Sequence, residues 1–364
     1  MNRIILIGNG FDLAQGLETG YKHFINHFWE EKTRLFLEKF RLHEMMHQGA
    51  VPHENYEDED IAIVSSSFDD IVNGVPQIQI THFYDQHKHS LFSELCLNKH
   101  IDKIHFKNKF LKRITEKQQL QNWVDIEQEY YLALLQYMEN KNIEEVLTLN
   151  KEFSALKAVL EEYLTSQKYI DKDKAYSIYE KIYYPLNRYR EWLGKEEEKY
   201  DALLFLNFNY TNNIKLNYDL FKSSKLIHIH GELSNTGNPV IFGYGDDIDE
   251  KYKLIEQLNN NEYLKNMKSI KYSETRNYQE VLAFIEANEY EIFIMGHSCG
   301  ISDRTLLNKL FEHNHCKRIK PFYHKKEDGT DNFTDLSINI SRNFKDKSLF
   351  REKMVNKLDC EPLL

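Results

Sequence analysis

"IILIGNGFDLAQGLETGY", residues 4–21, decides how the rest of the chain is read. Ile4 to Ile7 give a short apolar run of the buried-strand kind, and Gly8 and Gly10 break it at once. The segment therefore reads as strand, tight turn and helix. Glycines at such a turn let the backbone reverse sharply and approach a ligand closely. The N-terminus of the following helix would offer unpaired N–H groups and a positive dipole end to a phosphate. The dinucleotide fingerprint G-x-G-x-x-G needs a third glycine at position 13, where Leu13 stands. It also needs an acidic residue closing a second strand about twenty residues on, and none appears. An ordinary nicotinamide dehydrogenase is thus excluded. Glycines that serve only the turn would also satisfy the segment.

Short β-like runs return after residue 200: "ALLFLNF" (202–208), "KLIHIH" (225–230), "PVIFGYG" (239–245), "EIFIMG" (291–296), "RIKPFYH" (318–324) and "LSINIS" (336–341). Helical segments separate several of them, the pattern of a doubly wound, largely parallel α/β sheet. The N-terminal strand is expected to join that sheet. Between them lies a stretch of helical texture. A helix is expected over about 21–41, and nearly everything from 89 to 195 reads as helical. Trp123, Ile126, Tyr130, Leu134 and Tyr137 recur at spacings of three and four, as do Phe153, Leu156, Leu160 and Leu164. The expected organisation is a discontinuous α/β domain of residues 1–28 plus 200–345, an inserted helical domain of 29–199, and a C-terminal helix or tail of 346–364. The acidic run at 54–60 reads as a solvated loop.

Composition narrows the function classes. With 41% hydrophobic residues, 364 positions suffice for a packed core, and 23 Tyr and 22 Phe make aromatic packing its main component. A net charge of −10 gives no overall attraction for nucleic acid. Lysines and one arginine outnumber acids over 88–117, a stretch that reads as a solvated helix face or as phosphate contacts. Cys96, Cys299, Cys316 and Cys360 form no C-x-x-C pair, so neither a zinc ribbon nor a disulfide framework is suggested, and no metal is expected. No secretory signal or run of about 18 apolar residues appears, so the expectation is a cytoplasmic protein with no membrane partner.

The strand ends after residue 200 carry polar motifs. Phe208-Asn209-Tyr210-Thr211-Asn212 follows one strand, Ile229-His230-Gly231 the next, and Gly296-His297-Ser298, with Asp303 beyond, a third. Counted from Gly8, glycines fall at offsets 0, 2 and 8, with Leu17 at offset 9. This set resembles the NAD-binding fingerprints of sirtuins, in the same order along the chain. More narrowly, "IGNGFDLAQGL", "WVDIE" (123–127), "FNYTN", "HIHGEL" and "GHSCGISD" together are similar to the AbiH family of bacteriophage abortive-infection proteins. The resemblance implies a sirtuin-like, Rossmann-type core with NAD as substrate or ligand. It implies that Gly8, Asn9, Gly10, Phe11 and Asp12 hold the nucleotide, together with Tyr210, Thr211, Gly231, Gly296, His297, Ser298 and Asp303. Asn209 and His230 become the catalytic pair. A neutral histidine can take a proton from water or a ribose hydroxyl, and an asparagine can orient the ribose. Asp12 would bind a ribose hydroxyl or tether its loop, and Asp303 would cap or orient the next helix. Trp123, Asp125 and Glu127 would hold the insertion together, or contribute a carboxylate to the site. The chain lacks the paired cysteines of the sirtuin zinc module, and nothing in it resembles an acyl-lysine channel. Water is then the simplest acceptor, giving a NAD glycohydrolase of anti-phage defence. A phage-derived trigger and a homo-oligomer stay open.

Other classes fit some of the same residues. Gly296-His297-Ser298-Cys299-Gly300 matches the G-x-S-x-G elbow of serine hydrolases. Downstream of Ser298, however, only Asp303 and Glu312 precede His313, His315 and His324, which leaves no room for the strands that deliver a triad. A non-catalytic nucleotide sensor would use the same pocket without turnover. A nucleic-acid-targeting effector would use the basic stretch 88–117, although the charge makes nucleic acid an unexpected partner.

Overall fold

The computed structural model describes residues 1–46, 56–63, 104–117, 123–168, 170–183, 201–217 and 224–364. Expectations for the remaining segments, including much of the 89–195 block and Lys88, Lys99 and Lys103, lie outside the described residues. Strand β1 (Asn2–Ile7) is buried throughout. It lies between β5 (Leu203–Asn207) and β7 (Tyr290–Met295). β6 (Ser224–His228) and β8 (Cys316–Phe322) take the two edges, giving the order β6-β5-β1-β7-β8 with every pairing parallel. In chain order the sheet runs 3-2-1-4-5, so its direction of growth reverses between β1 and β7. In open parallel sheets that switch point is where ligands bind, beyond the carboxyl ends of the strands.

Alternate residues of each strand face opposite sides, so the near-continuous apolar runs feed two cores. Ile4, Leu6, Leu204, Leu206, Ile292 and Ile294 pack in one. Helices α10 (Asn277–Ala287), α11 (Arg304–Glu312) and α12 (Phe333–Arg342) cover it. Ile5, Ile7, Phe205, Phe293 and Met295 pack in the other, beneath α1 (Asn9–Ala14), α6 (Lys172–Tyr183) and α7 (Asn213–Asn217). A third cluster unites α2 (Tyr21–Met46), α3 (Lys109–Glu116), α4 (Trp123–Glu139) and α5 (Ile143–Ser166). It takes in residues from 240 to 267, around α8 (Glu250–Gln257) and up to α9 (Lys268–Lys271). Aromatic rings join these parts: Phe242 stacks on Phe153 at 4.8 Å, and Tyr244 on Tyr131 at 4.0 Å. After α13 (Lys347–Lys353) the chain runs beside β8, with Val355 N donating to Ile319 O and Leu363 N to Tyr323 O, which covers that sheet edge.

Three expectations are corrected. "LSINIS" is part of helix α12, because Leu336 and Ile340, four apart, face the core while Ile338 is 45% exposed. "PVIFGYG" forms no strand; its aromatic residues pack into the third cluster instead. The described part of the acidic run is not a free loop. β2 (Tyr56–Glu57), β3 (Ile61–Ile63) and β4 (His105–Phe106) form a small antiparallel sheet, and Lys32 Nζ bridges Asp58 and Asp60 at 2.9 and 2.7 Å. The described basic residues of 88–117 are also paired. Lys107, Lys109, Lys112, Arg113 and Lys117 contact Glu57, Glu145, Glu116 and, for the last two, Glu129.

Candidate functional site

The loops after β1 and β7 meet at the switch point. Gly10 N donates to Gly296 O at 2.8 Å, Gly8 N to Met295 O at 3.3 Å, and Phe11 N to Gly8 O at 2.9 Å. A Cβ on Gly296, whose φ is +74°, would lie 2.0 Å from Phe11 N, and one on Gly8 would lie 2.5 Å from His297 Cα. The glycines thus serve the approach of one loop to the other, and the amides of Gly8, Gly10 and Phe11, expected to face a phosphate, have acceptors within the protein. Phe11 is fully buried in the sheet core. Asn9 Oδ1 accepts from Thr19 Oγ1 at 2.6 Å.

A first polar group forms where this loop meets the end of β5. Asp12 accepts from Thr211 Oγ1 at 2.6 Å and Asn213 Nδ2 at 2.9 Å. Burial pushes its pKa up to about 6, against the lowering effect of those donors. Asn209 donates from Nδ2 to Gly8 O at 3.0 Å. Helix α7 begins only at Asn213, so Asn209 is not its cap. Tyr210 OH donates to Ile241 O at 3.3 Å.

The second group is a buried cluster of ionisable side chains. His230 lies just beyond β6, followed by Gly231, whose φ of +84° and close approach to Pro239 O leave no space for a Cβ. His230 Nε2 is 3.2 Å from Asp303 Oδ1 and 3.1 Å from Tyr272 OH. His297 Nε2 is 3.5 Å from Asp303 Oδ2, while its Nδ1 accepts from Cys299 N at 3.0 Å. That bond assigns the His297 proton to Nε2, facing the carboxylate. Phe208, after β5, fits edge-on against both imidazoles. Lys268 Nζ, from α9, donates to Asp303 Oδ1 and to Glu127 Oε2 of α4, each at 2.8 Å. Glu127, Lys268, Asp303, His230, His297 and Tyr272 are each at most 5% exposed.

Such burial sets the charges. Desolvation, helped by Lys268, drops His230 to about 4, so its imidazole is neutral near pH 7. Burial opposes ionisation of Asp303, but Lys268 and His230 outweigh it and hold the carboxyl well below its usual range. Burial lifts Glu127 to about 7 against the pull of Lys268. The lysine stays charged because Asp303 and Glu127 outweigh the cost of burying it. A neutral imidazole backed by a carboxylate can accept a proton, and the anionic side of the cluster suits a cationic or cation-forming group better than a phosphate.

The structure brings His230, His297 and Asp303 together and sets Asn209, Thr211 and Asp12 beside the neighbouring loop. Asp303 occupies the N-cap position of α11, but its side chain makes no capping bond there, so the expected capping role is corrected. Ser298 is exposed, and its carbonyl accepts from Asn339 Nδ2 at 3.1 Å. A 3-10 turn at Ile301–Asp303 separates it from α11, which is not the geometry of a nucleophile elbow. Lys268 and Tyr272 went unrecognised in the sequence, since neither belongs to a motif or a periodic pattern. Glu127 carries two readings in the sequence, holding the insertion together or lending a carboxylate to the site, and its side chain meets Lys268 in the buried cluster. Among the described residues no group of three or more His, Cys, Asp or Glu side chains is arranged to hold a metal ion. None of the described helices is long and apolar enough to cross a membrane.

The fold and site define an α/β protein whose five-stranded sheet is all parallel, with a polar, ionisable cluster at the carboxyl ends of those strands. Residues 4–324 match the family described as Bacteriophage abortive infection AbiH, and the chain belongs to that family. No curated protein and no solved structure matches it.

Proposed function

We propose that the chain is an abortive-infection effector that binds NAD, or a related nucleotide, across the carboxyl ends of its sheet and hydrolyses the nicotinamide–ribose bond. The observation that carries this reading is the buried His230–Asp303 pair at the strand ends. With Nε2–H directed to Asp303, the imidazole keeps a lone pair on Nδ1. A water attacks the anomeric carbon of the ribose, the carbon–nitrogen bond breaks, and nicotinamide leaves as a neutral pyridine with the bonding pair. The water's proton passes to His230, and Asp303 stabilises the resulting imidazolium. Asn209, tethered through Nδ2 to Gly8 O, orients a ribose hydroxyl. The loops of Gly8 to Asp12, Tyr210 to Thr211, Gly231 and Gly296 to Ser298 complete the nucleotide site. A pyrophosphate on the first loop would exchange the Gly10–Gly296 bond for one of its own oxygens, so binding on this reading opens the two loops. A closed resting site suits an effector whose activity depletes its host of NAD.

The test is direct. Purified protein is mixed with NAD and nicotinamide release is followed by chromatography. Release by the wild type is expected, with losses of roughly 100-fold or more in His230→Ala and in Asn209→Ala. Turnover that survives both substitutions overturns the assignment. Binding of NAD without release would favour a nucleotide sensor in its place.

A further inference from the structure

We infer that Glu127, brought to the strand ends by helix α4, sets the charge of the His230 site through one proton that it gains and loses. Lys268 is the positioning residue that holds Glu127 and Asp303 on a single ammonium. The inference rests on reading the strand-end cluster as the active site.

Lys268 donates to both carboxylates at the same 2.8 Å, at 1% exposure. If both carboxylates are ionised, this buried trio carries one uncompensated negative charge. Proteins relieve such a charge by keeping one acid protonated. The surroundings decide which one. Asp303 also faces Nε2 of His230 and Nε2 of His297, and both stabilise its charge. Glu127 has, besides Lys268, a long bond of 3.4 Å from Gly243 N and a pull from the Ser302 hydroxyl that is weaker than that of Lys268. The groups that face it otherwise are Asp303, from the turn before α11, and the phenols of Tyr272 after α9 and Tyr210 after β5. None of these favours a second negative charge, so Glu127 holds the proton.

The proton matters for the chemistry at His230. With Glu127 protonated, Lys268 and Asp303 compensate each other. When Glu127 ionises, its carboxylate draws on the same ammonium and Asp303 is left less compensated. The imidazole beside Asp303 becomes more basic, and developing positive charge on the ribose is better stabilised. Hydrolysis then accelerates as Glu127 loses its proton. Both residues act through Asp303 and His230.

The full chain is tested in two ways. The first is the pH profile of kcat/KM for nicotinamide release by the wild type and by Glu127→Gln. The wild type is expected to show an acid limb with a midpoint near 7. The variant is expected to lose that limb and to run roughly 10- to 100-fold slower at about pH 8. An unchanged acid limb in Glu127→Gln overturns the inference. The second reads no activity: 13C NMR of glutamate-labelled protein, titrated between about pH 5 and 8. A side-chain carboxyl that titrates near 7 and is missing in Glu127→Gln supports the inference. Glu127 ionised throughout that range overturns it. A wild type that releases no nicotinamide at any pH sinks the hydrolase reading, and the titration then still decides whether Glu127 holds the proton.

Discussion

Asp12 is 1% exposed and accepts from the Thr211 hydroxyl and the Asn213 amide. Its folded pKa of about 6 lies above the ordinary 3.8, so between those values the folded protein binds more protons than the unfolded chain. The stability gained from protonated Asp12 is fully present below 3.8 and is lost as pH rises through 6. Asp12→Asn removes that dependence. Urea unfolding of both proteins should show the variant gaining on the wild type from about pH 4 to 6, by as much as about 3 kcal/mol, with no further change above. Parallel curves would contradict the burial argument. His230 has the opposite sign: its lowered pKa contributes stability above 6.5 that is lost as pH falls toward 4. At this scale, a residue's place beside a strand end was legible and its partner was not. Gly8, Asn209 and His230 follow apolar runs, and a run broken by polar or small residues marks a strand end locally. Lys268 stands in "NMKSIKY" (266–272) with no such marker. Its meaning comes from Glu127, 141 positions earlier, and Asp303, 35 positions later.

Helix α12 and the 239–245 segment mark the limit of pattern reading at the scale of elements. Leu336, Ile338 and Ile340 alternate as a strand would, yet Leu336 and Ile340 also share one helical face. Packing against α11 and the sheet chooses the helix, and Ile338 is left outside. Ile340→Ala should therefore destabilise the protein by about 2–4 kcal/mol, while Ile338→Ala should stay within about 0.5 kcal/mol. Thermal or chemical unfolding checks this; similar losses at both positions would contradict the helix. In "PVIFGYG" the β-branched and aromatic residues have strand propensity, but propensity yields to the stacking of Phe242 on Phe153 and Tyr244 on Tyr131. Long periodic helices were easier. In α5, Phe153, Leu156, Leu160 and Leu164 repeat over the C-terminal half of the element, and all four are buried.

Across the whole molecule, Lys268 joins helix α4 to the strand ends that carry His230 and Asp303. Lys268→Met leaves Asp303 and Glu127 buried without their cation, and a loss of about 3–5 kcal/mol is expected. Adding Asp303→Asn removes the stranded charge, since Glu127 holds its proton. The double variant should recover more than about 1 kcal/mol relative to the sum of the single effects, as measured by urea unfolding. Additive losses would mean that Lys268 and Asp303 do not act as one unit. The parallel sheet, the aromatic cores and the strand-end motifs could be read from the chain, because apolar runs, helical periods and glycine turns are set by neighbours a few residues away. The course of 240–267 against the helices, the mutual packing of the Gly8 and Gly296 loops, and the charge of the buried cluster could not. Those depend on which distant segments exclude water from the same place, and desolvation belongs to the assembled fold rather than to any stretch of it.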